Sequence, residues 1–173
     1  MPRSFDMSTD YGASVEEVLR AFSEEQYWLA RLADSGVDDA TLDSMQIGGS
    51  SGDDGTIDVI TTQVLRSDRL PGVVTQFHRG DLCIRREERW DPITNGSAAA
   101  TVTGSILDSP ASLTGTAVLE PVDSGGARLM FRATVEVRVP LVGGKLENFI
   151  GSQLVDLLIA EQRFTTMWIG QTA

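Results

Sequence analysis

The stretch from Gly143 to Gly170 reads as one long amphipathic helix. Leu146, Phe149, Ile150, Leu154, Leu157, Phe164 and Trp168 recur at helical spacing on one broad face. Gln153 and Glu161 interrupt that face, while Glu147, Asn148, Ser152, Asp156, Gln162 and Arg163 lie mostly off it. At 1.5 Å per residue such a helix is roughly 40 Å long. So wide an apolar face has to be covered, and the residues before it are the material available. A sheet closed by one long helix encloses a ligand-sized cavity as readily as a solid core.

Those preceding residues read mainly as strands. Phe5, Met7 and Thr9 alternate with Ser4, Asp6 and Ser8, so Ser4 to Tyr11 is a candidate first strand. Ser14 then has the character of a helix N-cap, with Glu17 at the capping-box position. Val15, Val18, Leu19 and Phe22 share one face of that helix. A second short helix is predicted over Ser23 to Asp34, ended by Ser35-Gly36. From Ala40 onward the predicted strands are Ala40–Ile47, Thr56–Arg66, Leu82–Trp90, Ala98–Leu107, Leu113–Glu120 and Leu129–Val139. Turn pairs such as Asn95-Gly96 separate them, which suits an antiparallel meander. Leu70 to Phe77 is either a further short strand or a loop opening with Pro71-Gly72.

The strand faces differ in bulk. Leu129, Phe131, Ala133, Val135, Val137 and Val139 make an apolar face opposite Met130, Arg132, Thr134, Glu136 and Arg138. Ala98, Ala100, Val102 and Gly104 on one strand, and Leu113, Gly115, Ala117 and Leu119 on the next, supply little volume. Either the long helix packs closely there, or space is left.

Charge and composition restrict the partners. The 173 residues suit one domain, residues 1–173, with 41% apolar and 23% charged side chains. A net charge of −11 opposes binding to nucleic acid or to anionic membrane surfaces. Arg79 to Asp91 interleaves four arginines with four acids and is neutral overall. No apolar run approaches the ~20 residues of a membrane span, and no secretory leader is evident, so a cytoplasmic location is expected. The single cysteine, Cys83, allows no internal disulfide.

The order of strand, two short helices, meander and long C-terminal helix resembles the α+β helix-grip fold of the START-like superfamily. That superfamily includes lipid-transfer domains, plant pathogenesis-related allergens and the polyketide cyclase/dehydratase group. Its local marks here are Ala13-Ser14-Val15-Glu16-Glu17-Val18, Tyr27-Trp28 and Pro140-Leu141-Val142-Gly143-Gly144-Lys145-Leu146-Glu147. Leu70-Pro71-Gly72 and Glu87-Glu88-Arg89-Trp90 make it most similar to an uncharacterised actinobacterial family within that superfamily. The resemblance covers nearly the whole chain. It implies a strongly bent antiparallel sheet of about six to seven strands around the long helix. It also implies a cavity for a small hydrophobic molecule between them.

Residues expected at such a cavity are Trp28, Ile84, Arg86, Glu88, Trp90, Val102 and Phe131 before the helix. On the helix they are Ile150, Gln153, Leu154, Leu157, Glu161 and Trp168. The polar members carry the chemistry. Leu82, Ile84, Arg86, Glu88 and Trp90 share one strand face; if it points inward, Arg86 and Glu88 approach the cavity and need partners. A Glu161–Arg86 pair would satisfy them. Alternatively Glu161 reaches the sheet rim and Arg86 and Glu88 face water. Glu161 with a raised pKa would be a candidate general acid or base. The tryptophans are either cavity walls or core.

Metals and cofactors are not expected. His78 is the only histidine, and neither it nor the Asp53, Asp54 and Asp58 cluster matches a zinc or calcium site. Gly143-Gly144-Lys145 lacks the rest of a phosphate loop, and its glycines suit a hinge. No nucleophile elbow supports a serine triad. Carriage of a small hydrophobic ligand without catalysis is the first expectation. A cyclase- or dehydratase-like enzyme using Glu161, and a homodimerising interaction module, are the alternatives.

Overall fold

The computed structural model describes residues 2–48, 55–76 and 78–172. Among these, seven strands form one antiparallel sheet in the order β1-β7-β6-β5-β4-β3-β2. They are β1 (Arg3–Tyr11), β2 (Asp39–Ile47), β3 (Ile57–Leu65), β4 (Leu82–Trp90), β5 (Ala98–Ile106), β6 (Ala111–Pro121) and β7 (Ala127–Val137). Every strand end falls within two residues of the sequence expectation. The signal is firm because a one-residue slip would turn every apolar side chain to water. Asn95-Gly96 is the tight turn between β4 and β5, with φ of 53° and 82° and Thr94 paired to Ser97.

Four α-helices accompany the sheet among the described residues: α1 (Val15–Phe22), α2 (Glu25–Asp34), α3 (Gly72–Thr75) and α4 (Gly143–Thr172). The capping box forms as expected: the Glu17 amide donates to Ser14 Oγ at 3.2 Å, and the Ser14 amide to Glu17 Oε1 at 3.1 Å. α2 begins later than Ser23, because Ser23 closes α1 by donating its hydroxyl to the Arg20 carbonyl at 2.6 Å. The Leu70–Phe77 expectation needs correcting. Pro71 opens the single helical turn α3, which is neither a strand nor an open loop. Phe77, like Asp53 and Asp54, lies outside the described residues. Asp58 belongs to β3 and is half-buried.

Apolar packing divides into two clusters. One joins α1 and α2 to Trp90, Leu119 and Leu129, with Phe164 and Trp168 of α4 against it. The other, at the opposite end, joins Ala111, Val135, Val137 and Leu146 with Phe5 and Ile150. There α4 lies very close to β1: a Cβ on Gly151 would stand 2.3 Å from the Phe5 ring. Glu147 was expected off the apolar face, yet it is fully buried. Its Oε2 accepts the Val137 amide at 3.0 Å, anchoring the first turns of α4 to the end of β7. No helix among the described residues is long and apolar enough to cross a membrane.

Candidate functional site

Between the two clusters lies a cavity of about 610 Å³, walled by α4 and by every strand except β2. One helix can share a cavity with six strands only if the sheet curves around it. The floor is thin where the sequence is thin. Val102, Gly104, Leu113 and Ala117 of β5 and β6 all line it. Gly115 leaves no space of its own, because the Phe131 ring lies over it; a Cβ there would be 2.8 Å from Cζ. The mouth is formed by Ser35, Gly36 and Val37 after α2 and by Arg69, Leu70, Pro71 and Val74 around α3. Asp38 ties these two segments together, pairing with Arg69 at 2.9 Å and accepting the Arg66 amide at 2.7 Å.

The structure brings together eleven of the thirteen residues expected at a cavity. Ile84, Arg86, Glu88, Trp90, Val102 and Phe131 line it from the sheet, and Ile150, Gln153, Leu154, Leu157 and Glu161 from α4. Gln153 is exposed and sits at the edge. Trp28 and Trp168 are not on the wall. Trp28 is 1% exposed and donates its indole N–H to the Phe22 carbonyl at 2.7 Å. Tyr27 lies edge-on to both, with ring centroids 5.3 Å and 6.0 Å away. The two short helices need an aromatic core of their own, and these tryptophans supply it.

Arg86 and Glu88 face inward, and Glu161 meets them rather than the rim. Arg86 Nη2 donates to Glu161 Oε2 at 2.8 Å, and Arg86 Nε stands 3.4 Å from Glu88 Oε1. A fourth charge completes the group. Arg31 of α2 is 2.6 Å from Glu161 and 3.5 Å from Glu88. It also donates to the Tyr27 hydroxyl at 3.3 Å and lies 4.6 Å from the Trp28 ring centroid. Trp90 Nε1 donates to Glu88 Oε2 at 3.3 Å. Two guanidiniums and two carboxylates thus form a compact group with no net formal charge.

Electrostatics follow from that geometry. Burial works to raise the Glu161 carboxyl, but the Arg31 and Arg86 guanidiniums outweigh it and hold the group below its ordinary value. The shift is opposite to the one an acid or base role for Glu161 would require. A carboxylate held ionised is a poor general acid at neutral pH. Arg31 is pulled downward by burial and raised well above its usual value by Glu161, Tyr27 and Glu88, so it stays charged. Burial, with Tyr27 beside it, drives the Tyr11 phenol far upward and keeps it protonated.

Arg31 is the important residue that sequence reasoning missed. Three and four residues after Trp28 and Tyr27, it falls on the buried face of α2, and that spacing was the available signal. Tyr11 and Gln63 were missed too; both line the cavity, 6% and 8% exposed. His78 does not approach the site and bonds locally to the Asp81 carbonyl at 3.0 Å. Among the described residues no cluster of His, Cys, Asp and Glu could hold a metal ion.

Residues 6–169 match the model of a family described as a protein of unknown function, DUF2505. The chain belongs to this family. An uncharacterised protein of Mycobacterium tuberculosis is 61% identical over 170 residues, covering 98% of each chain. One from Mycobacterium bovis matches equally. Among solved structures, a Thermus thermophilus protein superposes with a TM-score of 0.61 at 14% identity, covering 99% of both chains. A START superfamily protein of Mycobacterium smegmatis gives 0.55 at 11% identity, covering 98% of this chain and 99% of that one. Norcoclaurine synthase from Thalictrum flavum gives 0.57 at 12% identity, covering 98% and 87%. At such identities the likeness is one of fold. This family member has the START-like helix-grip α+β fold: a seven-stranded antiparallel sheet and a long C-terminal helix.

Proposed function

We propose that this chain is a container that binds and carries a small, largely apolar molecule without transforming it. The cavity carries the reading: about 610 Å³ between sheet and α4, with apolar side chains over most of its wall. That volume suits a molecule of drug or metabolite size. The contacts would come from Ile84, Val102, Phe131, Ile150, Leu154 and Leu157, with Trp90 at one end. The START superfamily likeness of the Mycobacterium smegmatis protein supports the same reading at the level of fold.

An enzyme using Glu161 has weaker support. Its carboxylate is engaged by two guanidiniums and held on the ionised side, which suits a structural or orienting role. The test is native mass spectrometry of protein purified gently from its own host, before and after organic extraction. The expected result is an added mass of a few hundred daltons, on the order of one drug-sized ligand, that extraction removes. A bare polypeptide that also takes up no hydrophobic probe in solution would end the container reading.

A further inference from the structure

The polar groups on the cavity wall say which end groups the container accepts. The cations lining it, Arg31, Arg69 and Arg86, each already face a carboxylate. Arg31 and Arg86 are shared between Glu88 and Glu161, and Arg69 is held by Asp38 at the mouth. An incoming carboxylate or phosphate would find no cation there without a carboxylate already beside it, although Arg31 Nη2 and Arg86 Nε, charge-paired as they are, are buried without an aligned hydrogen bond. It would add an uncompensated negative charge inside a mostly apolar space, where burying a charge is strongly unfavourable.

Two uncharged polar side chains buried on the wall lack hydrogen-bond partners among the described residues. The Tyr11 phenol and the Gln63 side-chain amide are each more than nine-tenths buried and line the cavity, yet neither makes a side-chain hydrogen bond among the described residues. Buried polar groups are normally satisfied, so such a pair facing a cavity marks where something else bonds. Gln63 sits on β3 opposite Ile84, one diagonal step from Arg86 on the same face. Tyr11 lines the same cavity as Arg31, Glu88 and Glu161. Gln63 therefore borders the neutral charge group, and Tyr11 shares its cavity. The phenol is a donor, and the amide offers both donor and acceptor.

Resting on the container reading, we infer that the cavity selects uncharged amphipathic molecules bearing a hydroxyl or carbonyl oxygen, recognised by Tyr11 and Gln63, and rejects carboxylates and phosphates of equal size. An uncharged oxygen replaces water at these two groups and leaves the Arg–Glu balance untouched. The apolar remainder of such a ligand would lie toward Leu113, Phe131 and Leu154.

Three probes with one ring system test this: pyrene, 1-pyrenemethanol and 1-pyrenecarboxylate, titrated at neutral pH and followed by fluorescence. In the wild type, 1-pyrenemethanol should bind about tenfold tighter than 1-pyrenecarboxylate, the scale of one or two hydrogen bonds plus an avoided charge. The ratio of 1-pyrenemethanol to pyrene affinity should fall about threefold in Tyr11→Phe, and about tenfold in Tyr11→Phe with Gln63→Leu. The ratio compares two probes on one folded variant, so a general loss of packing does not mimic it. Should the double variant fail to fold, Tyr11→Phe and Gln63→Met are read singly. Equal or tighter binding of the carboxylate overturns the inference, as does an undiminished ratio in the variants. Binding of all three probes without preference overturns the selectivity and leaves the container standing. Binding of none overturns both.

Discussion

At position 161 a carboxylate stands on the apolar face of α4, 2.6 Å from Arg31 and 2.8 Å from Arg86. Glu161→Gln keeps the shape and removes the charge, leaving two buried guanidiniums short of a partner. The expected loss is roughly 2–4 kcal/mol of unfolding free energy, read by urea denaturation. The substitution is therefore not a silent probe of catalysis, since it lowers stability whether or not anything reacts in the cavity. The same group sets an acid limit. Its folded pKa lies below its unfolded value, so the unfolded chain takes up the proton first as pH falls. Its stabilisation is complete above the ordinary glutamate value and is lost as pH drops through the lower folded value. Thermal melts of wild type should decline on acidification through that window, and Glu161→Gln should flatten the decline. Arg86, Glu88 and Glu161 drew attention in the sequence because charges interrupting an apolar face need an explanation, but whether they meet one another or face water was not legible there. Tyr11 and Gln63 drew none, because lacking a hydrogen-bond partner is a property of three-dimensional neighbours and leaves no mark on residue type.

Among the elements, the closest approach is that of α4 to β1. Gly151 admits the Phe5 ring against the helix backbone, and any Cβ there would fall 2.3 Å from it. Gly151→Ala improves helix propensity by ~1 kcal/mol yet forces the ring or the helix aside, which typically costs 1–3 kcal/mol. A net destabilisation is expected in a denaturant series, and Phe5→Leu in the same chain should recover part of it. Additive single and double variants would show that the two residues do not press on each other. One turn earlier, Glu147→Ala removes the acceptor of the buried Val137 amide and should lose roughly 1–3 kcal/mol, while Glu147→Gln, which retains a carbonyl oxygen, should lose less. Elements of this length were readable from periodicity: the strands by alternation, α1 by its capping box, α4 by its broad face. The four residues of α3 were not, since one turn is too short to display a period. The placement of Trp28 and Trp168 away from the cavity was equally hidden. It depends on α1 and α2 packing on the end of α4, a tertiary choice that spacing along each helix does not encode.

For the whole molecule, the question left open by the sequence was whether small residues on β5 and β6 mean close packing or space. Ala100, Gly104, Gly115 and Ala117 are compatible with both, because curvature decides how far α4 stands off and curvature is a collective property of seven strands. The structure answers differently at different positions: Phe131 fills the place above Gly115, while Gly104 opens on the cavity. A Cβ at Gly104 would meet nothing nearer than 3.6 Å, so a side chain can start there without strain and must extend into the cavity. Gly104→Phe therefore separates the two cases. In a filled core the added ring would overpack and destabilise by about 1–3 kcal/mol. In a cavity it buries apolar surface and relieves the weakness of a glycine inside a strand, so the melting temperature should hold or rise. Pyrene affinity should fall at the same time by roughly tenfold, the equivalent of about 1.4 kcal/mol of lost contact. A variant that melts lower and binds as before would mean that the space over Gly104 is not where ligands sit. A variant that is firmer and emptier would show stability and capacity trading against each other in one side chain, as a fold that keeps its centre open requires.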